Sequence, residues 1–381
     1  MDISTEEMTR RYARLLKTLS NDGFKALLVI GTANSNGNAA VYGAGTFRYL
    51  SDFYIMTLYG VLVICPPHDP AMFVPTELSR ERGTRVSWVK DVRHSLDYGA
   101  DVAGFLEECE ITDGKVGIIN IESIPARLYT ALCERLPEID FVDGSSAVIP
   151  SRFIKSEEER GLIAKSAEIN DQAFQKVLDE MQPGMKEFEV VNIVESCQRS
   201  LGADGLFNLI SSGPFGGGTQ GRARLFHASR REIKRGDSVS LEVSCSYGGY
   251  WSQLVRAVSV GVADPDAVQM QKAAMATLKR GLDELCVGMR VREYFDIMAK
   301  EAGLHGFKLA TPMGHFVGLD LMEARIDDIT DLTFEPDMAF IVHPHLIDSR
   351  GRWLLWGHTF IMTKSGAVSL HRTEETGQAM I

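Results

Sequence analysis

Histidine is the residue type whose charge changes near neutral pH, so its clustering is where chemistry is sought first. Five of the nine histidines lie after residue 310: His315, His343, His345, His358 and His371. Several sit beside glycine or proline, as in Met313-Gly314-His315, His343-Pro344-His345 and Gly357-His358. The spacing of His343 and His345 suits two residues on one face of a strand. His227 ends the run RARLFH, after the glycine-rich stretch Gly213–Gly221. That stretch lacks the Gly-Lys-Ser ending of a phosphate-cradling loop and opens no helix. Glu242 and Gln253 add a carboxylate and an amide. Imidazole and carboxylate are nitrogen and oxygen donors of the kind a transition-metal ion takes. Without a metal, imidazoles can act as general acid and base. Trp251, Trp353 and Trp356 flank these runs, as the wall of an apolar pocket or as core packing.

These residues need elements to hold them. Gly236–Gly261 reads GDSVSLEVSCSYGGYWSQLVRAVSVG. Ser238–Ser246 has strand character, Gly248-Gly249 gives a tight turn, and Tyr250–Val260 returns as a second strand. Such a hairpin fixes which side chains face one another. Upstream, Thr5–Asn21 has the spacing of an amphipathic helix, and KALLVIG at 25–31 that of a buried strand. Asn34–Gly45 is a glycine- and asparagine-rich loop. Apolar strands at 60–65, 71–75 and 115–121 alternate with helical stretches at 102–110 and 124–136, which implies an α/β layer. Ser156 is a natural N-cap, with three glutamates after it, for a long helix that stops at Pro183-Gly184. Gly184-Met185-Lys186 and Gly288-Met289-Arg290 each open a helix that ends at a glycine, the pattern of a duplicated half or of two ordinary capped helices.

The chain has 381 residues, enough for two cores, and the boundary is placed near residue 150: residues 1–150 and 151–381. A net charge of −11 argues against nucleic acid or an anionic membrane as default partner. No apolar run reaches membrane-spanning length, and the N-terminus carries no signal-peptide core. The six cysteines form no Cys-x-x-Cys pair, so a reduced, cytoplasmic protein is expected.

Four separated runs in order resemble the creatinase, aminopeptidase P and prolidase superfamily. The hairpin resembles its metal-site hairpin, with Glu242 and Gln253 where two aspartates stand. PMGHFVGLDLMEA at 312–324 resembles the Gly-His-Gly-x-Gly-Leu-x-x-His-Glu run, with His315 at its histidine, Glu323 at its glutamate and Met322 at its second histidine. FEPDMAFIVHPHL at 334–346 puts His343 at a bridging glutamate, and LLWGHTFIM at 354–362 puts Gly357-His358 at the final glutamate. The resemblance implies an α+β fold: a C-terminal pita-bread domain of duplicated α/β halves after a smaller α/β N-terminal domain. It also implies a homodimer. Only His315 survives unchanged among the five ligands, and one carboxylate is too few to bridge two ions.

The expected function is therefore a metal-independent, creatinase-like hydrolase or lyase cleaving a C–N bond in a small polar substrate, with no cofactor. His227 and His315 would be acid and base, and Glu242 would orient a histidine or a water. Gln253, Glu323, His343, His345, His358 and Trp356 would contact substrate. Creatine fits poorly, because Val255 and Trp356 stand where creatinase holds the guanidinium with carboxylates. Its substrate-carboxylate arginine aligns near Gly60, with Arg48 and Arg325 as candidate replacements. Two alternatives stay open: a hydrolase or Xaa-Pro-type peptidase with one transition-metal ion at Glu242, His315 and His343, and a non-catalytic peptidase-like binding module.

Overall fold

The computed structural model describes residues 3–33, 44–215, 227–373 and 379–380. The Asn34–Gly45 loop falls almost wholly outside them, as do most of the Gly213–Gly221 stretch and residues 222–226. The chain divides into two compact units, Met1–Arg152 and Phe153–Ile381.

The first unit is a six-stranded mixed sheet of β1 (Ala26–Thr32), β2 (Tyr59–Ile64), β3 (Ala71–Val74), β4 (Asp91–His94), β5 (Gly114–Ile119) and β6 (Ile139–Asp143). Their order is β4-β3-β2-β1-β5-β6. Helices α1 (Thr5–Asp22), α2 (Thr46–Ser51), α3 (Glu77–Val86), α4 (Tyr98–Glu108) and α5 (Ala126–Arg135) accompany it. Ser4 caps α1 by accepting from the Glu7 N–H, and Met8, Tyr12, Leu15 and Leu19 turn inward, as the spacing predicts. The core joins Leu28, Ile30, Val61 and Val63 of the sheet to Val102, Leu106, Leu128 and Leu132 of α4 and α5.

After α6 (Ile149–Phe153), the second unit opens with α7 (Glu157–Glu180). Ser156 and Glu159 form a reciprocal capping box there, satisfying two helix-end donors. Then follow α8 (Glu187–Ser200), β7 (Gly205–Leu206), β8 (Leu209–Pro214), the hairpin β9 (Asp237–Tyr247) and β10 (Tyr250–Ser259), α9 (Pro265–Glu284) and α10 (Val291–Leu304). The chain ends in β11 (Lys308–Leu309), β12 (Gly314–Phe316), β13 (Ala324–Ile326), β14 (Ala339–Val342), β15 (His345–Ile347), β16 (Trp353–Leu355), β17 (Gly357–Thr363), β18 (Gly366–Ser369) and β19 (Ala379–Met380).

The main sheet runs β13-β12-β14-β17-β10-β9-β7, and β11-β15-β16 form a smaller one. On one face of the hairpin, Val239, Leu241, Val243 and Leu254 pack against Phe174 and Val177 of α7 and Val190 and Val194 of α8. The duplication is visible in hydrogen bonds. Gly184 N–H donates to Ile233 O and Ile233 N–H to Met185 O; Gly288 N–H donates to Phe334 O and Phe334 N–H to Met289 O. Both glycines have positive φ, 99° and 91°, where a side chain would be strained.

Candidate active site

Side chains alternate along a strand, and paired residues share a face. Pairing therefore assigns each candidate to a face. One row runs Arg325, His315, Ile341, Thr359, and a second pairing carries it from Gln253 to Ser244. Thr359 and Gln253 are joined directly: the Gln253 N–H donates to Thr359 Oγ1 and that hydroxyl donates back to Gln253 O. The Phe207 N–H donates to Ser244 O and extends the row. Two residues along, on the same face, run Leu209, Glu242, Val255 and Gly357. His343 follows Val342, one residue beyond the pair Val342 and His358, and so joins that second row. Glu242, Gln253, His315, His343 and Gly357 thus occupy one face of one sheet.

Local chemistry sets their charge. Glu242 keeps some accessible surface but sits deep among protein atoms, and desolvation pushes its pKa up to about 7. Gln253 Nε2 donates to Glu242 Oε2 at 3.4 Å, the long end of hydrogen bonding. His315 and His343 meet edge to face, ring centroids 5.7 Å apart. Burial, with His343 nearby, lowers the pKa of His315 to about 3, against a counter-pull from the carbonyls of Phe316 and Leu321. Burial lowers that of His343 to about 4. Burial thus favours the neutral form of both rings at pH 7 and, of these three groups, brings the pKa of Glu242 to neutrality.

Other expected site residues lie elsewhere. His358 is one residue from both Gly357 and Thr359, so it points to the reverse face. There His358 Nδ1 lies 3.2 Å from Arg256 Nη2, and its ring is 5.6 Å from that of Trp356. Trp356 is itself covered by the Arg256 guanidinium at 4.3 Å. Neither joins the face of Glu242 and His315. Glu323 is buried in an ion pair with Lys155 Nζ at 2.7 Å, which ties the turn after β12 to the start of the unit and engages the carboxylate that was expected to touch substrate. His227 is exposed, edge-on to Phe207 at 6.4 Å. His345 is the exception: it packs on Trp353 at 5.6 Å, on the face of the small sheet whose Ile347 and Leu355 cluster with Val255 beside Glu242. The sequence reading passed over Ser244, Phe207 and Leu209. Ser244 is two residues from Glu242 on the same strand, and that alternation was the signal for it.

The five positions do not fit a pair of metal ions. They supply one carboxylate, one amide and two imidazoles, and Gly357 offers no donor side chain. A Cβ at 357 would run into the Val342 carbonyl oxygen and come within 2.5 Å of His343 Cα. Among the described residues, no three His, Cys, Asp or Glu side chains gather closely enough to hold an ion.

A profile of metallopeptidase family M24 matches residues 161–370. An Xaa-Pro dipeptidase from Pyrococcus furiosus is 29% identical over 231 residues, 58% of this chain and 64% of that protein, so the match spans under two thirds of that relative. A creatinase from Bacillus sp. is 25% identical over 370 residues, 91% of this chain and 85% of that protein. Among solved structures, an X-Pro aminopeptidase from Thermotoga maritima superimposes with a TM-score of 0.83 at 19% identity, covering 97% of this chain and 99% of that one. A prolidase from Pyrococcus horikoshii gives 0.81 at 21%, covering 96% and 99%. These structures share the α+β pita-bread fold. The profile covers more than half of the chain, and the chain belongs to metallopeptidase family M24, a family of hydrolases acting on C–N bonds.

Proposed function

We propose that this member of the family hydrolyses a C–N bond in a small polar substrate without a metal ion, with Glu242 as the group that moves the proton. The observation that carries this reading is the content of the shared face: one carboxylate poised near neutrality, two neutral imidazoles, and a fifth position closed by main chain. A general base works best when its pKa lies near the working pH, which favours Glu242 over His315. The ionised carboxylate takes a proton from water as the water oxygen bonds to the carbonyl carbon. The same proton then passes to the leaving nitrogen as the C–N bond breaks, giving an acid and an amine. His315 Nδ1, buried without a partner, accepts a hydrogen bond from that water and orients it. Arg325 lies beside His315 in the row, suited to a substrate carboxylate.

A single-ion site at Glu242, His315 and His343 is the second reading; the relatives named Xaa-Pro dipeptidase favour it, and it requires these side chains to draw closer together than they stand here. A cytoplasmic homodimer acting on a small molecule accords with the family resemblance and the acidic charge. No helix among the described residues is long and apolar enough to cross a membrane.

Elemental analysis of protein purified without chelator or metal-affinity tag tests the reading, run beside an activity assay on small amides, ureas and N-substituted amino acids. Turnover with far less than one ion per chain supports it. One tightly held transition-metal ion whose removal stops turnover transfers the case to the single-ion site. Two ions per chain would defeat both readings.

A further inference from the structure

The catalytic face holds buried polar atoms that the fold leaves unanswered. Gln253 Oε1, Ser244 Oγ, His315 Nδ1 and His343 Nδ1 have no hydrogen-bond partner among the described residues. Their residues are 2%, 0%, 4% and 8% exposed. Buried polar groups are nearly always paired, and one left unpaired carries a cost of desolvation. Gln253 is the informative one. Its Nε2 is turned to Glu242, which lies in the neighbouring row of the same face, so its amide lies on that face. The oxygen left over can only accept, and it calls for a donor from outside the protein.

Beside this polar row stands an apolar wall. Leu209 and Val255 flank Glu242 on either side. They cluster with Trp353 and Leu355, and with Ile347 from the small sheet. Leu209, Ile347 and Glu242 each keep accessible surface, whereas Val255 is fully buried behind them.

We propose that the site selects a secondary amide: the N–H of its scissile bond donates to Gln253 Oε1, and its acyl substituent is apolar and lies on Leu209 and Ile347. This rests on the reading of Glu242 and its neighbours as a hydrolytic centre. It separates the chain from enzymes that cleave before proline, because the nitrogen of an Xaa-Pro bond has no hydrogen to give. A site built to bond an N–H discriminates strongly against an analogue without one.

The test uses three probes that differ at one atom: N-benzoylglycine, N-benzoylsarcosine, whose nitrogen is methylated, and O-benzoylglycolate, in which oxygen replaces the N–H without added bulk. Titration calorimetry on the full chain should show N-benzoylglycine binding about ten- to a hundredfold tighter than either analogue. Gln253→Met should collapse that ratio. Should this variant not fold, Leu209→Ala should weaken N-benzoylglycine severalfold while leaving N-acetylglycine unchanged. Equal binding of ester and amide, or no binding of any probe at millimolar concentration, would overturn the inference. Release of benzoate and glycine is measured in parallel: the expected preference without release would leave the selectivity standing and remove the hydrolytic reading.

Discussion

Replacing Glu242 by glutamine should stabilise the protein at alkaline pH while it destroys turnover. The folded carboxyl titrates at about 7 instead of 4.5, because burial disfavours its charge. Folded protein therefore binds this proton more tightly than the unfolded chain. The stability that follows is whole below about pH 4.5 and is lost as the pH rises through about 7. At about 1.4 kcal/mol per pKa unit, the loss is roughly 3 kcal/mol. The accessible part of the carboxylate trims this to about 2–3 kcal/mol. Glutamine is neutral throughout and lacks the loss. Urea denaturation of both proteins between pH 5 and pH 8 measures the difference directly, because His315, His343 and every other titrating group are common to both. The gap should open in favour of Glu242→Gln as the pH rises, reaching about 2–3 kcal/mol at pH 8. A gap that stays constant with pH would show that the carboxylate is not desolvated, and the case for it as the proton carrier would fall. Removal of a general acid/base should lower kcat by about 10²–10⁴.

His315→Ala should abolish turnover with the fold intact by circular dichroism, whereas His227→Ala, altering an exposed ring, should lose less; the reverse order would contradict the role given to His315. Lys155→Met leaves the buried Glu323 carboxylate without its ammonium and should destabilise by about 3–5 kcal/mol in chemical denaturation, with Lys155→Met/Glu323→Leu recovering much of it. Asp171 accepts from His371 Nδ1 at 2.9 Å, the Arg372 N–H at 2.7 Å and the Thr373 hydroxyl at 2.6 Å. Burial works to raise its pKa, yet these partners hold it below the ordinary carboxylate value. Its contribution is thus present above about pH 4 and lost as the pH falls further, and Asp171→Asn should weaken the neutral-pH protein by about 1–3 kcal/mol in thermal or urea melts.

The parts of this fold that were legible in the sequence are those fixed by near neighbours. Gly248-Gly249 announced the hairpin, Ser156 and Glu159 the start of α7, and Gly184 and Gly288 the two halves. Helix α3 and strand β4 escaped notice. ELSRERGTRV has no apolar stripe and DVRH no alternation, so neither carries the periodic signal on which such a reading depends. At the site, residue identities were legible and directions were not. The alignment around Gly357 was uncertain by one residue, and in a strand one residue exchanges the two faces. That single step carried His358 and Trp356 from the expected pocket to the Arg256 side. The ion pair of Glu323 was illegible for another reason: Lys155, its partner, is 168 residues away, and no local pattern records the pairing.

The tight approach at Gly357 makes the change at that position a one-way step. With no side chain there, the main chain of Val342 and His343 fills the space a Cβ would need. Glycine to alanine alone should cost about 1–3 kcal/mol, readable as a lowered melting temperature. Writing a glutamate back at 357 would not return a ligand to its place; it would wedge two central strands apart. Carboxylates at 253 and 343 can be tried singly, but the last one needs the backbone to retreat first. What side chain position 357 can carry is in that sense set by the spacing of its strands.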